Sequence, residues 1–120
     1  MSLLLLASLL ASPAAAAPSQ AEPAVPVASL ISIMDYPASA LRAGEQGTVR
    51  VGLDISPEGR VTACTVTASS RSATLDATAC RILRARARFR PARDAAGTAV
   101  PGRYDTAFTW SFEDAAPDAR

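Results

Sequence analysis

The sequence predicts a single α+β domain. It comprises a three-stranded antiparallel or mixed sheet in strand order 2-1-3, one long helix packed on one face, and a short helix before the first strand. Three observations carry this. Residues 48–55 alternate apolar and polar, the pattern of a half-buried strand, and residues 103–112 alternate again with most of the aromatic side chains. Ser56-Pro57-Glu58-Gly59 suits a type I turn, so residues 61–68 return as the second arm of a hairpin. Between these strands, apolar residues recur at helical spacing.

In chain order, the first charged side chain is Glu22. Leu3 to Ala11 is an apolar run followed by Pro13 and small residues, which reads as a secretory signal peptide over residues 1–21, cleaved after Ala21 or within Ala14–Ala17. The run is shorter than the roughly 20 residues of a membrane span. No cysteine lies nearby for lipid attachment. Residues 22–35 read as a Pro/Ala linker, at most about 50 Å long when extended. The domain is expected over residues 36–113, with residues 114–120 as a disordered tail.

Tyr36-Pro37 opens the domain, and Ala38 to Ala43 suits a short helix ended by Gly44 and Gly47. In the first strand Val49, Val51, Leu53 and Ile55 share one face. In the second, Cys64, Val66 and Ala68 form the inward set, and the opposite parity of Val61 implies a bulge beside Gly59. Thr74 is the N-cap expected for the long helix, with Asp76 favouring its first turn. Leu75, Ala79, Ile82, Leu83 and Phe89 gather on one arc opposite Arg81, Arg84 and Arg88, and Pro91 ends the helix. Arg86 falls inside the apolar arc. Asp94 to Gly102 reads as a loop. In the third strand Tyr104, Thr106, Phe108, Trp110 and Phe112 alternate with Arg103, Asp105, Ala107, Thr109 and Ser111. A hairpin cannot bury its apolar face alone, so the third strand joins beside the first and leaves one of its own edges open.

Cys64 and Cys80 are the only cysteines. Export places them in an oxidising compartment, and Cys80 flanks the helix arc that faces Cys64, so they are expected to form a disulfide. Two thiolates without histidine do not fill a tetrahedral metal shell. The crosslink closes a loop of about 16 residues and contributes about 3 kcal/mol on a chain-entropy estimate.

Chemistry is constrained by what is missing. The chain has no histidine, all twelve basic residues are arginine, and the net charge is +1. No base stands ready for a serine or cysteine nucleophile, the carboxylates show no diagnostic spacing, and there is no phosphate-binding glycine loop. The sequence thus reads as a non-enzyme without cofactor or metal. The run RILRARARFRPAR carries six arginines in 13 residues. It reads as the solvated face and C-terminal end of the helix, with contact to acidic groups or lipid headgroups as the functional alternative. Aromatics are not interleaved for base stacking, so nucleic acid is not an expected partner.

Tyr36-Pro37, Gly47-x-Val49-x-Val51, Pro57-x-Gly59-x-Val61, Val66 with Ser69-Ser70, Leu75-Asp76-x-x-Ala79, Phe89-x-Pro91-Ala92 and Gly97 to Pro101 together resemble the TonB C-terminal domain family. The resemblance covers roughly residues 36–113. A glycine commonly follows the Ser-Ser pair in that family, where this chain has Arg71, and the cysteine pair lies outside the shared pattern. The resemblance implies a periplasmic domain that binds the extended N-terminal segment of TonB-dependent outer-membrane receptors by strand addition, in energy-coupled transport of siderophores or vitamins. The peptide-binding residues it implies are Arg103, Tyr104, Asp105, Thr106, Ala107, Phe108, Thr109 and Trp110, with Asp35 and Tyr36 as a second contact. It also implies inner-membrane energising proteins as partners if the N-terminus is anchored. Pro18 to Asp35 spans at most about 60 Å, short for a periplasm-crossing spacer. The alternative is therefore a stand-alone or self-associating module, a homodimer through the open edge, that does not transduce energy.

Overall fold

The computed structural model describes residues 17–112. The elements follow in the order β1 (Glu22–Pro23), α1 (Ala38–Ala43), β2 (Gly47–Ile55), β3 (Val61–Ala68), α2 (Ala73–Arg86), β4 (Phe89–Arg90), β5 (Ala92–Arg93), β6 (Ala99–Val100) and β7 (Gly102–Trp110), with 3₁₀ turns at Val27–Leu30 and Ile33–Asp35. The main sheet has the order β3-β2-β7. Both pairings are antiparallel, so the sheet contains no mixed pair of neighbours.

The alternation in β2 decides the layering. Val49, Val51, Leu53 and Ile55 are buried and share one core with Leu75, Ala79, Ile82 and Leu83 of α2. Burying each large aliphatic side chain stabilises the fold by about 1.5–3 kcal/mol relative to exposure. The opposite face carries Thr48, Arg50 and Asp54, which are exposed. α2 lies over β2 and β3 and leaves the β7 side to other cover, supplied by the turn Val27–Leu30.

Several expectations are corrected. The N-cap of α2 is Ser72, whose Oγ accepts the Leu75 amide at 3.1 Å, and not Thr74. The helix ends at Arg86. Ala87 is already extended, and Phe89 is buried from a strand that pairs with Glu22–Pro23. β3 has bulges at Thr62 and Thr67; the second sets Ala68 opposite Arg50 on the outer face, where it is exposed, while Val66 stays opposite Val51 on the core face but is 38% exposed for want of cover. Among the expected inward residues of β3 only Cys64 packs on the core. The loop expected at 94–102 holds the turn and second strand of the small β5-β6 hairpin.

The largest correction concerns the segment before residue 36. It does not hang free as a linker. Ser19 exchanges two backbone hydrogen bonds with Arg93 (2.9 and 3.0 Å), β1 pairs with β4, and Ala21 is only 2% exposed. Val27 and Ile31 enter the core. Residues 17–35 therefore form a strap across the domain. The expected leader up to residue 16 and the tail from 114 lie outside the described residues.

Two glycines are required by close approach. A Cβ on Gly59, at φ +85°, would stand 2.1 Å from the Phe89 carbonyl oxygen, where the Phe89 amide donates to Gly59. A Cβ on Gly47 would stand 2.7 Å from the Ser70 carbonyl oxygen. Ser70 is fixed there because its amide and hydroxyl both donate to Asp76 Oδ1 (2.9 and 2.6 Å). The Ser69-Ser70 pair is thus a brace between α2 and the start of β2.

Cys64 and Cys80 are bonded and join edge strand β3 to α2. Reduction is expected to lower stability by about 3 kcal/mol, read as a lower urea midpoint with dithiothreitol and a somewhat larger m-value, because the uncrosslinked unfolded chain exposes more surface. Arg71 holds φ +79°, a left-handed conformation costly for a residue with a Cβ. Relief of that strain exceeds the entropy glycine adds to the unfolded chain, so Arg71→Gly is expected to stabilise by about 0.5–1 kcal/mol in the same titration.

Candidate functional site

The sheet has two outer strands, and they differ in kind. β3 carries two bulges against β2, which twist and interrupt an edge. β7 pairs with β2 in unbroken register from Gly47↔Trp110 to Ile55↔Gly102. Its other edge has no strand partner among the described residues. A bulge-free nine-residue strand with one free edge is a template for a further strand.

The free edge opens into a cleft of about 550 Å³ between the strap and the C-terminal half of β7. Ala107, Phe108, Thr109, Trp110 and Ser111 form one wall; Ala28, Ile31, Ser32, Ile33 and Tyr36 form the other. No carboxylate or guanidinium lines it. At its base the aromatic rings lock together. Tyr36 meets Trp110 edge-on at 5.1 Å and stacks on Phe112 at 5.6 Å, and Phe108 meets Trp110 edge-on at 5.1 Å. The Tyr36 hydroxyl donates to the Glu45 carbonyl, and burial pushes its ionisation up. The Trp110 Nε1–H is buried and has no hydrogen-bond partner among the described residues.

The residues named from sequence divide along this cleft. Ala107 to Trp110 line it, as does Tyr36. Arg103 to Thr106 lie on the half of β7 beyond it. Arg103 there pairs with Asp54 opposite it (3.2 Å) and with Asp105 (3.3 Å), its guanidinium lying against Gly52. Asp35 does not line the cleft. Its Oδ1 accepts Arg86 Nη2 at 2.8 Å, and its Oδ2 accepts Arg86 Nη1 at 2.9 Å and the Ser32 amide at 2.8 Å. These bonds, the Arg86 hydrogen bonds above all, hold the Asp35 carboxyl far below the usual carboxylate range. The strap wall and Arg86 were missed because residues 22–35 read as a linker.

A family model describing the C-terminal part of the Gram-negative bacterial TonB protein matches residues 33–112. The chain belongs to this family. TonB C-terminal domains are non-enzymatic protein-interaction domains of the cell envelope. No curated protein matches the chain. Residues 17–32, most of the strap, precede the segment that the TonB model matches. Among the described residues no helix is long and apolar enough to cross a membrane, and no cluster of metal-ligating side chains occurs.

The lowered Asp35 carboxyl has a signed consequence. Its folded value lies below its unfolded value, so its contribution is complete above the ordinary carboxylate range and is lost as pH falls below about 4. Asp35→Asn is expected to flatten part of the acid-side fall in the urea midpoint between about pH 4 and pH 2 and to leave its slope near pH 7 unchanged.

Proposed function

We propose that this domain captures an extended segment of a TonB-dependent outer-membrane receptor along β7, in the periplasm, as a step in energy-coupled uptake. The observation that carries the reading is the bulge-free free edge of β7 opening into an uncharged, aromatic-based cleft. Strand addition uses the edge's main-chain groups for affinity and the cleft for side-chain selection. Family membership supports the class of partner, since TonB C-terminal domains generally interact with outer-membrane receptors. Energy coupling needs, in addition, a mechanical link from the strap to an energised inner-membrane complex.

Titration of the purified protein with peptides from receptor N-termini tests the reading. Saturable binding at or below high micromolar concentration is expected. N-methylation of the peptide at alternate backbone nitrogens is expected to weaken binding more than tenfold in one register and little in the other, because only every second amide faces the edge. Equal tolerance in both registers would show that no strand is added.

A further inference from the structure

The strap wall of the cleft is held in an unusual way. In the turn Ile33–Asp35 no residue is buried, and Met34 is 87% exposed. Buried Ile31 before it and Tyr36 after it anchor the chain at both ends, but no apolar packing fixes the turn itself. Polar bonds do. Ser32 and Asp35 cap each other, and Arg86, the last residue of α2, donates to the Leu30 carbonyl (2.9 Å) as well as to both Asp35 oxygens. One guanidinium thus grips the chain on both sides of Ile31, Ser32 and Ile33, three of the four residues that the strap presents to the cleft. A planar fork of fixed donors suits this double grip, and a lysine ammonium does not reproduce it.

We propose that Arg86 is a positioning residue that latches residues 30–35 to the end of α2 and thereby sets the second wall of the β7 cleft. The inference rests on the reading of that cleft as the peptide site. It assigns the site's geometry to a side chain that does not itself line the cleft. Without the latch the strap samples open positions, and apparent affinity falls by the fraction of molecules still closed. Loss of preorganisation appears mainly as faster dissociation.

The test compares wild type with Arg86→Met, Arg86→Lys, Asp35→Asn and the double variant Asp35→Asn/Arg86→Met. Arg86→Lys keeps the cation at the helix C-terminus and so separates helix-end electrostatics from the latch. Three readouts are taken: receptor-peptide dissociation rate, the emission of Trp110, the only tryptophan, and amide exchange at Ser32, Met34 and Tyr36. Arg86→Met is expected to weaken binding about tenfold through dissociation, with red-shifted emission and faster exchange confined to the strap. Arg86→Lys should resemble Arg86→Met, and the double variant should be no worse than either single change, since each breaks the same latch. Binding within twofold of wild type in Arg86→Met, additive losses in the double variant, or full function in Arg86→Lys would each overturn the proposal. Should Arg86→Met fail to fold, Asp35→Asn and Arg86→Lys decide the matter by the same readouts. If wild type binds no peptide, the function proposed above falls, and unchanged emission and exchange in the variants would sink the latch separately.

Discussion

Burial of one face of β2 under α2 is the constraint from which the rest of the molecule follows. Val49, Val51, Leu53 and Ile55 leave water only if a helix covers them, and among the described residues only α2 is long enough to do so. β2 is therefore central, and a strand must lie on each side of it. Its two neighbours are edges, and each edge is a hazard or a resource according to how it is finished. β3 is finished with two bulges and a disulfide to α2. β7 has neither. A single helix is also too narrow to roof three strands, so the core side of β7 is covered by the N-terminal strap, and the gap between strap and edge is the cleft.

Much of this was legible because it is local. The period-two pattern of residues 49–55 and the Ser56–Gly59 turn need no tertiary information, and the hairpin follows from them. The helix limits were harder. Ser72 and Thr74 are both competent caps, and only the brace of Ser69, Ser70 and Asp76 selects the first of them. Phe89 falls on the apolar arc of α2 by periodicity, yet it belongs to a strand. Its amide is taken by Gly59, and the amide of Ala24 is taken by Arg88, both contacts between segments far apart in sequence.

The strap was not legible for a different reason. Its residues have neither period two nor period 3.6, and its partners are two-residue ladders supplied by distant segments. Such pairing carries no signature in the strap's own composition. The signature was in the other half of the pair, the arginine run of residues 81–93, where a solvated helix face was the simplest account. Arg81 and Arg84 fit that account. Arg86 and Arg90 do not: each reaches an acid of the strap, Asp35 at 2.8 Å and Glu22 at 3.0 Å. Arg86 sat awkwardly on the apolar arc because that arc ends beside the strap and not beside water.

This division of the run has a mechanical consequence. Chain upstream of residue 17 joins the domain at Ser19, runs antiparallel along β5 and β4, turns over α2 and β7, and reaches Tyr36 only after forming one wall of the cleft. The point of entry and the binding wall are the same continuous segment. A load applied from the N-terminal side is met first by the short backbone ladders at Ser19 and β1 and next by the guanidinium of Arg86. Exposed polar contacts of this kind open at lower free energy than the buried core of β2 and α2. Ala21, Val27 and Ile31 of the strap are buried in the same core as β2 and α2, so the segment that carries both entry point and wall is tied to the sheet by apolar packing as well as by these contacts.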